Sequence, residues 1–158
     1  MKVRVGFGFD VHQLKEGKDL WLGGIKLAHT KGAVGHSDAD VLIHAICDAL
    51  LGAAGMRDIG FHFPDTSSEF KGIDSKILLR RVNDLLTKEG YSIGNIDCTL
   101  VLEKPKINSH IDEMKKTLAS ILNVEVNDIA IKATTNEKMG YVGREEGVCA
   151  YAVALIQK

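Results

Sequence analysis

Residues 2–9 alternate in polarity, with Val3, Val5, Phe7 and Phe9 on one side, the two-residue period of a strand. A second short strand is expected over residues 21–27, interrupted by Gly23 and Gly24. Ser37, with Asp40 three residues on, reads as the start of a helix and an acidic variant of the capping box. Leu42, Ile46, Ala49, Leu50 and Ala53 then recur at helical spacing, up to a stop near Gly55. Residues 56–72 carry no sustained period and are expected to form a loop. Asp74 or Ser75 opens a second helix with the stripe Leu78, Val82, Leu85 and Leu86, ended by Gly90. Residues 96–102 alternate as a strand, and Asn108 opens a third helix that turns Ile111, Met114, Leu118, Ile121 and Leu122 inward. A strand over 129–134, a polar glycine-containing loop and a long final strand over 148–156 complete the chain. That last strand is apolar on both faces, so both are expected to be covered, by helices or by another subunit. The order strand–helix–strand–strand in the second half predicts an α+β fold, a mixed sheet with helices on one face, in one domain over residues 1–158.

Composition narrows the function. Twenty Lys and Arg against 21 Asp and Glu leave a net charge of −1, without the basic excess of a nucleic-acid binder. The longest apolar run, residues 148–156, is far below the roughly 20 residues that span a bilayer. No apolar signal stretch follows Met1, so a cytoplasmic protein is expected, or one of a plastid-type organelle if a transit peptide has been removed. Three widely spaced cysteines, Cys47, Cys98 and Cys149, make no disulfide framework and read as small buried residues. Five of the six histidines fall within the first 62 residues, among six aspartates, and direct attention there.

Asp10 and His12 are two apart on an extended segment, so their side chains project to one side. A carboxylate and an imidazole converging on one point make two-thirds of a catalytic zinc site, and His44 is a candidate third ligand. His44 is expected to share a polar stripe with Asp40 and Asp48, at i−4 and i+4 and opposite the apolar face of its helix, which makes Asp48 a candidate to hydrogen-bond the ring from behind. His36 and Ser37 stand at a helix start, where free N–H groups favour an anion. Thr134, Thr135, Asn136, Glu137 and Lys138, followed by Gly140, Gly143 and Arg144, combine hydroxyls, a carboxylate and cations as a phosphate with a divalent ion requires. Each pattern alone also suits a structural role: a turn, a cap or a polar loop.

Several long segments in order carry a resemblance over nearly the whole chain. They are GFGFDVH (6–12), GHSDADVLIHAICDALLGAAG (35–55), DIGFHFPDT (58–66), FKGIDS (70–75), EKPKI (103–107), KATTNEKMGYVGREEG (132–147) and AVALI (152–156). The chain resembles the 2-C-methyl-D-erythritol 2,4-cyclodiphosphate synthase family of the non-mevalonate isoprenoid pathway. That resemblance implies a homotrimer around a central apolar cavity, with active sites between adjacent subunits. It implies conversion of 4-diphosphocytidyl-2-C-methyl-D-erythritol 2-phosphate into the cyclic diphosphate and CMP. By position, Asp10, His12 and His44 match zinc ligands, one ion per subunit, and Glu137 matches a ligand of magnesium or manganese on the substrate diphosphate. His36 and Thr135 match transition-state-stabilising positions. Ser37, Asp58, Ile59, Gly60, Phe63, Pro64, Asp65, Thr66 and Ser67 match loops around the methylerythritol phosphate, and Asp10, Val11, His12 and His36 match further substrate-binding positions. Leu102, Glu103, Lys104, Pro105, Lys106, Ile107, Asn108 and Thr134 match a cytidine-phosphate pocket supplied by the neighbouring subunit. Asn136, where many members have Thr, and Tyr141, where Phe is frequent, are mild departures next to that pocket. Arg144 matches a basic residue at the mouth of the central cavity, which suits an isoprenoid diphosphate.

Two other readings use the same residues. A zinc-dependent phosphoesterase would release an open monophosphate, and a non-catalytic trimeric isoprenoid-diphosphate binder would turn nothing over. No activated nucleophile is visible, and intramolecular phosphoryl transfer needs none, because alignment and charge neutralisation suffice.

Overall fold

In the computed structural model, which describes residues 1–158, the first strand extends well beyond Phe9. Strand β1 (Val3–Glu16) has partners along its whole length, β7 (Gly147–Gln157) up to Gln13 and β4 (Lys31–Val34) from Gln13 to Glu16, both antiparallel. Strand β5 (Ser92–Val101) lies antiparallel on the other side of β7, and β6 (Ile129–Thr134) runs parallel to β5. The resulting five-stranded mixed sheet has the order β4-β1-β7-β5-β6. The stretch around Gly23 and Gly24 is a hairpin of its own, β2 (Leu20–Leu22) against β3 (Ile25–Leu27), and both turn glycines have positive φ, +61° and +82°.

Helix α1 (Val41–Ala54) lies across β1 and β7. Small residues permit the close approach. Ala45, Ala49 and Ala53 of α1 are buried against Gly6 and Gly8 of β1 and Ala150, Ala152 and Ala154 of β7. A Cβ on Gly8 would stand 1.9 Å from the Ala45 carbonyl oxygen, and one on Gly6 1.9 Å from that of Ala49. The glycine side of β1 is therefore the packed side. The apolar alternation Val3, Val5, Phe7, Phe9 and Val11 faces outward beside Tyr151 and Val153, and Val5 and Phe7 are 65% and 62% exposed. The final strand is thus covered by a helix on one face only, and its second apolar face is open in the single chain.

Three expectations about local structure need correction. The cap of α1 is Asp40, not Ser37: its carboxylate accepts the N–H of Ile43 at 3.1 Å and also those of Gly23 at 3.0 Å and Gly24 at 2.7 Å, fastening the hairpin to the helix. Asp40 is fully buried, and no continuous solvent stripe links it to His44 and Asp48, because α1 is apolar and buried almost all round. Residues 56–72 are not simply loop, since they contain the short helix α2 (Ile59–His62) and a 3-10 turn, Ser68–Phe70. Helices α3 (Ser75–Lys88), capped by Asp74, and α4 (Ile111–Leu122), entered through a 3-10 turn at Asn108–His110, pack on the same side as α1. The glycine-containing loop after β6 folds into a single turn, α5 (Gly140–Gly143). All three cysteines are buried and free, as expected.

Candidate metal centre and flanking cavities

Residues 6, 8, 10 and 12 of β1 all face α1. Where the glycines give out, Asp10 and His12 reach across to His44 on the helix. Asp10 Oδ2 is 2.9 Å from His12 Nε2 and 3.0 Å from His44 Nδ1, and the two ring nitrogens are 3.2 Å apart. The remaining ring nitrogens are held from behind. His12 Nδ1 donates to the Val34 carbonyl at 2.9 Å, and His44 Nε2 lies 2.9 Å from Ser75 Oγ and 3.2 Å from Ser37 Oγ. With both outer N–H groups so engaged, three lone pairs converge on one point. That arrangement is repulsive unless a cation or protons stand between them.

A tetrahedral zinc ion with bonds of about 2.0–2.1 Å sets its ligands about 3.3 Å apart, close to the spacings seen, and two His with one Asp are a normal donor set for it. The chemistry of the three atoms and their separations therefore fit a divalent metal. The electrostatics agree. Burial alone would raise the Asp10 carboxyl, but hydrogen bonds to His12 and His44 and their charge outweigh it and hold it down to about 2. Burial would likewise lower His12, yet the Asp10 hydrogen bond and charge, with the Val34 carbonyl, raise it above its usual value.

His12 and His44 line a cavity of about 290 Å³ together with His36, Ser37, Ile59, Gly60, Phe63 and Asp65, and Asp10 contacts both histidines. His36 is fixed by its Nε2, which donates to the Ser67 carbonyl at 3.0 Å. Asp58 precedes α2 without capping it through its side chain. Pro64, Thr66 and Ser67 shape the turn behind the cavity; the Pro64 carbonyl accepts the Ser67 N–H, and the Ser67 hydroxyl accepts that of Glu69. Asp48 does not touch His44. Its Oδ1 accepts the Ile59 N–H at 2.7 Å and anchors the start of α2, so it positions the Asp58–Ile59–Gly60 wall rather than a metal ligand. Val11 points to the open face of the sheet, away from this cavity.

The second group of candidates lies elsewhere on the chain. Leu102, Glu103, Pro105, Lys106, Ile107, Asn108, Thr134 and Thr135 line a separate cavity of about 100 Å³. Adjoining it is a polar hollow of about 660 Å³ lined by Glu103, Lys104, Lys106, Thr135, Glu137 and Lys138. Glu137 and Lys138 have positive φ, +53° and +60°, in a loop that the Lys138 N–H to Glu103 and the Asn136 amide to the Met139 carbonyl hold shut. Tyr141 packs over Gly147, and Arg144 is exposed in an ion pair with Glu146 at 3.0 Å. Neither hollow shares a lining residue with the metal cavity. All three open at the same end of the sheet, but β1 and β6 are three strands apart there, about 14 Å at about 4.8 Å per strand. Sequence reading missed the roles of Ser75, which meets His44 from 31 positions away along the chain, and of Asp38, which holds Ser75 across 37 positions.

A five-stranded mixed sheet backed by helices, with two histidines and an aspartate meeting beside an open cavity, defines a single-domain α+β protein with a candidate metal centre at the end of its sheet. Residues 3–157 match the YgbB family, and the chain belongs to that family. It is similar to 2-C-methyl-D-erythritol 2,4-cyclodiphosphate synthase of Parabacteroides distasonis, 66% identical over 100% of this chain and 98% of the relative. The enzyme of the same name from Bacteroides thetaiotaomicron is 62% identical over 100% of this chain and 99% of the relative. Among solved structures, the Plasmodium falciparum IspF complex with CDP superposes with a TM-score of 0.86 at 35% identity, covering 98% of this chain and 95% of that one. No helix here is long and apolar enough to cross a membrane.

Proposed function

We infer that the chain is an enzyme with 2-C-methyl-D-erythritol 2,4-cyclodiphosphate synthase activity, as its relatives at 62–66% identity are named. The 2-phosphate oxygen of 4-diphosphocytidyl-2-C-methyl-D-erythritol 2-phosphate forms a bond to the β-phosphorus. The bond from that phosphorus to the bridging oxygen breaks, and CMP leaves with the electron pair. The observation that carries this reading is the meeting of Asp10 with His12 and His44, two histidines that line a cavity together with His36 and Ser37.

These three residues hold zinc, which supplies Lewis-acid polarisation of a phosphoryl oxygen. His36, oriented by Ser67, and Thr135 brace the reacting phosphates in line, which is the main demand of phosphoryl transfer. Asp58, Ile59 and Gly60, with residues 63–67, enclose the methylerythritol phosphate. Residues 102–108 with Thr134 receive the cytidine phosphate, a role that suits a chain similar to one solved with CDP. Glu137, a single exposed carboxylate beside Thr135, suits magnesium or manganese, ions that keep waters and substrate phosphates as their other ligands.

The distance between the two groups of residues favours a site completed by a second chain. The open apolar face of β1 and β7 supports the same conclusion, since a contiguous patch of Val3, Val5, Phe7, Phe9, Val11, Tyr151 and Val153 marks an interface. A homotrimer buries this face around a shared axis, with Arg144 near the mouth of a central apolar cavity that accepts an isoprenoid diphosphate. The protein works in the cytoplasm.

Phosphorus NMR of the cytidyl substrate incubated with protein, zinc and magnesium tests the activity. Cyclic diphosphate and CMP are expected. An open monophosphate would point to phosphoesterase chemistry instead, and no turnover would contradict the assignment.

A further inference from the structure

We propose that Ser75, locked by Asp38, is the positioning residue that holds His44 in its metal-binding form and leaves Ser37 free for the substrate. This rests on the reading of Asp10, His12 and His44 as zinc ligands. Ser75 is the first residue of α3 and is fully buried. Asp38 grips it twice: Oδ2 accepts the Ser75 N–H at 2.9 Å, and Oδ1 accepts the Ser75 hydroxyl proton in a short contact. Asp38 Oδ1 also accepts the Asp40 N–H at 3.1 Å, so the carboxylate ties the start of α3 to the start of α1.

A carboxylate only accepts, so the Ser75 proton is committed to Asp38. The Ser75 oxygen then has only lone pairs to offer His44 Nε2, 2.9 Å away, and that nitrogen must carry the hydrogen. Nδ1 is thereby left as a lone pair aimed at Asp10 and His12, the form that binds a metal. Ser37 competes weakly for the same nitrogen. It stands farther off, at 3.2 Å, and its oxygen already accepts the Ala39 N–H at 3.2 Å. Its own proton is bound to nothing in the chain, and Ser37 lines the cavity. Two serines thus flank one imidazole with different tasks, one fixing the ring and one facing the ligand.

The test is zinc affinity of Ser75→Ala and Ser37→Ala by competition with a chelating dye, together with the visible spectrum of the cobalt-loaded proteins. Loss of a partner behind a ligating histidine weakens metal binding by about 10–100-fold. That loss is expected for Ser75→Ala, with a changed cobalt band and an unchanged far-UV circular dichroism of the metal-free protein. Ser37→Ala should keep zinc affinity within about twofold and raise KM. If Ser75→Ala unfolds, Asp38→Ala decides, because it removes the acceptor that holds the Ser75 hydroxyl proton and should also weaken zinc and alter the cobalt band. Equal zinc affinity in wild type and in the folded variant would overturn the proposal, as would equal losses in Ser37→Ala and Ser75→Ala. Failure of the wild-type protein to bind zinc would instead overturn the metal-site reading on which the proposal depends.

Discussion

Replacing Gly8 by alanine inserts a methyl group where β1 and α1 touch, two residues from Asp10 and one residue from the level of His44. The new Cβ would lie 1.9 Å from the Ala45 carbonyl oxygen and 2.8 Å from the Ala49 nitrogen, both backbone atoms of a helix that cannot fold aside. Non-bonded heavy atoms settle at about 3.5 Å, so strand and helix must part by about 1.5 Å. Overpacking of this kind costs about 1–3 kcal/mol. For a chain of this length that lowers Tm by about 2–12 °C. The same movement carries His44 away from Asp10, whose Oδ2 now lies 3.0 Å from Nδ1, and opens the ligand triangle beyond what one ion spans. Turnover should fall about 100-fold, as a displacement of roughly 1 Å at a reacting centre implies. Zinc affinity should fall with it, although no ligand has been changed. Chelator competition and thermal unfolding of Gly8→Ala measure both effects. Wild-type zinc affinity in a stably folded Gly8→Ala protein would refute the claim that small-residue packing sets the metal geometry.

Four further expectations follow from particular residues. The Asp10–His12 contact raises the imidazole above 6.5, and zinc must displace that proton, so calorimetric zinc affinity should begin to fall as pH drops while still above 6.5; a flat profile between about pH 6 and 8 would contradict it. Asp10, held down to about 2, stabilises the metal-free fold above its usual value of 3.8, and that contribution should disappear as pH falls through about 2, but not in Asp10→Asn. Asp48→Ala should leave zinc content unchanged and raise KM, because its carboxylate holds the Ile59 N–H and not His44; loss of zinc would restore the view that it backs the ligand. Phe7→Asp should leave a folded chain that sediments as a monomer and has little activity, since Phe7 lies on the open face and outside the core; an intact trimer would argue against that face as the interface.

The strands and helices were legible where one period dominated, as in residues 96–102 or the stripe Leu78, Val82, Leu85 and Leu86. The face on which β1 packs was not. Hydrophobic alternation marks Val3, Val5, Phe7 and Phe9, yet the core contact goes through Gly6 and Gly8, because only a side without Cβ atoms admits α1 so closely. Ser37 and Asp40 both suit a helix cap, and the choice is made by Gly23 and Gly24, whose N–H groups the Asp40 carboxylate also takes. Asp10, His12 and His44 were accessible from strand spacing together with helix position. The Asp38–Ser75 lock was not, since it depends on α3 returning to α1 across 37 residues. The division of the remaining candidates into two unconnected cavities is likewise a property of strand order, β1 and β6 standing three strands apart.

That these two cavities work as one site only across a subunit boundary is tested most directly by mixing two inactive variants. His44→Ala removes a metal ligand from the first cavity, and Glu137→Gln removes the carboxylate of the second. In trimers reassembled from equal amounts, each interface has about a one-in-four chance of receiving both intact residues, by the symmetry of a cyclic assembly. Recovery of roughly a quarter of wild-type activity is expected from that symmetry. No recovery, with mixed trimers confirmed by mass spectrometry, would place both residues in the service of a single chain and contradict the shared site.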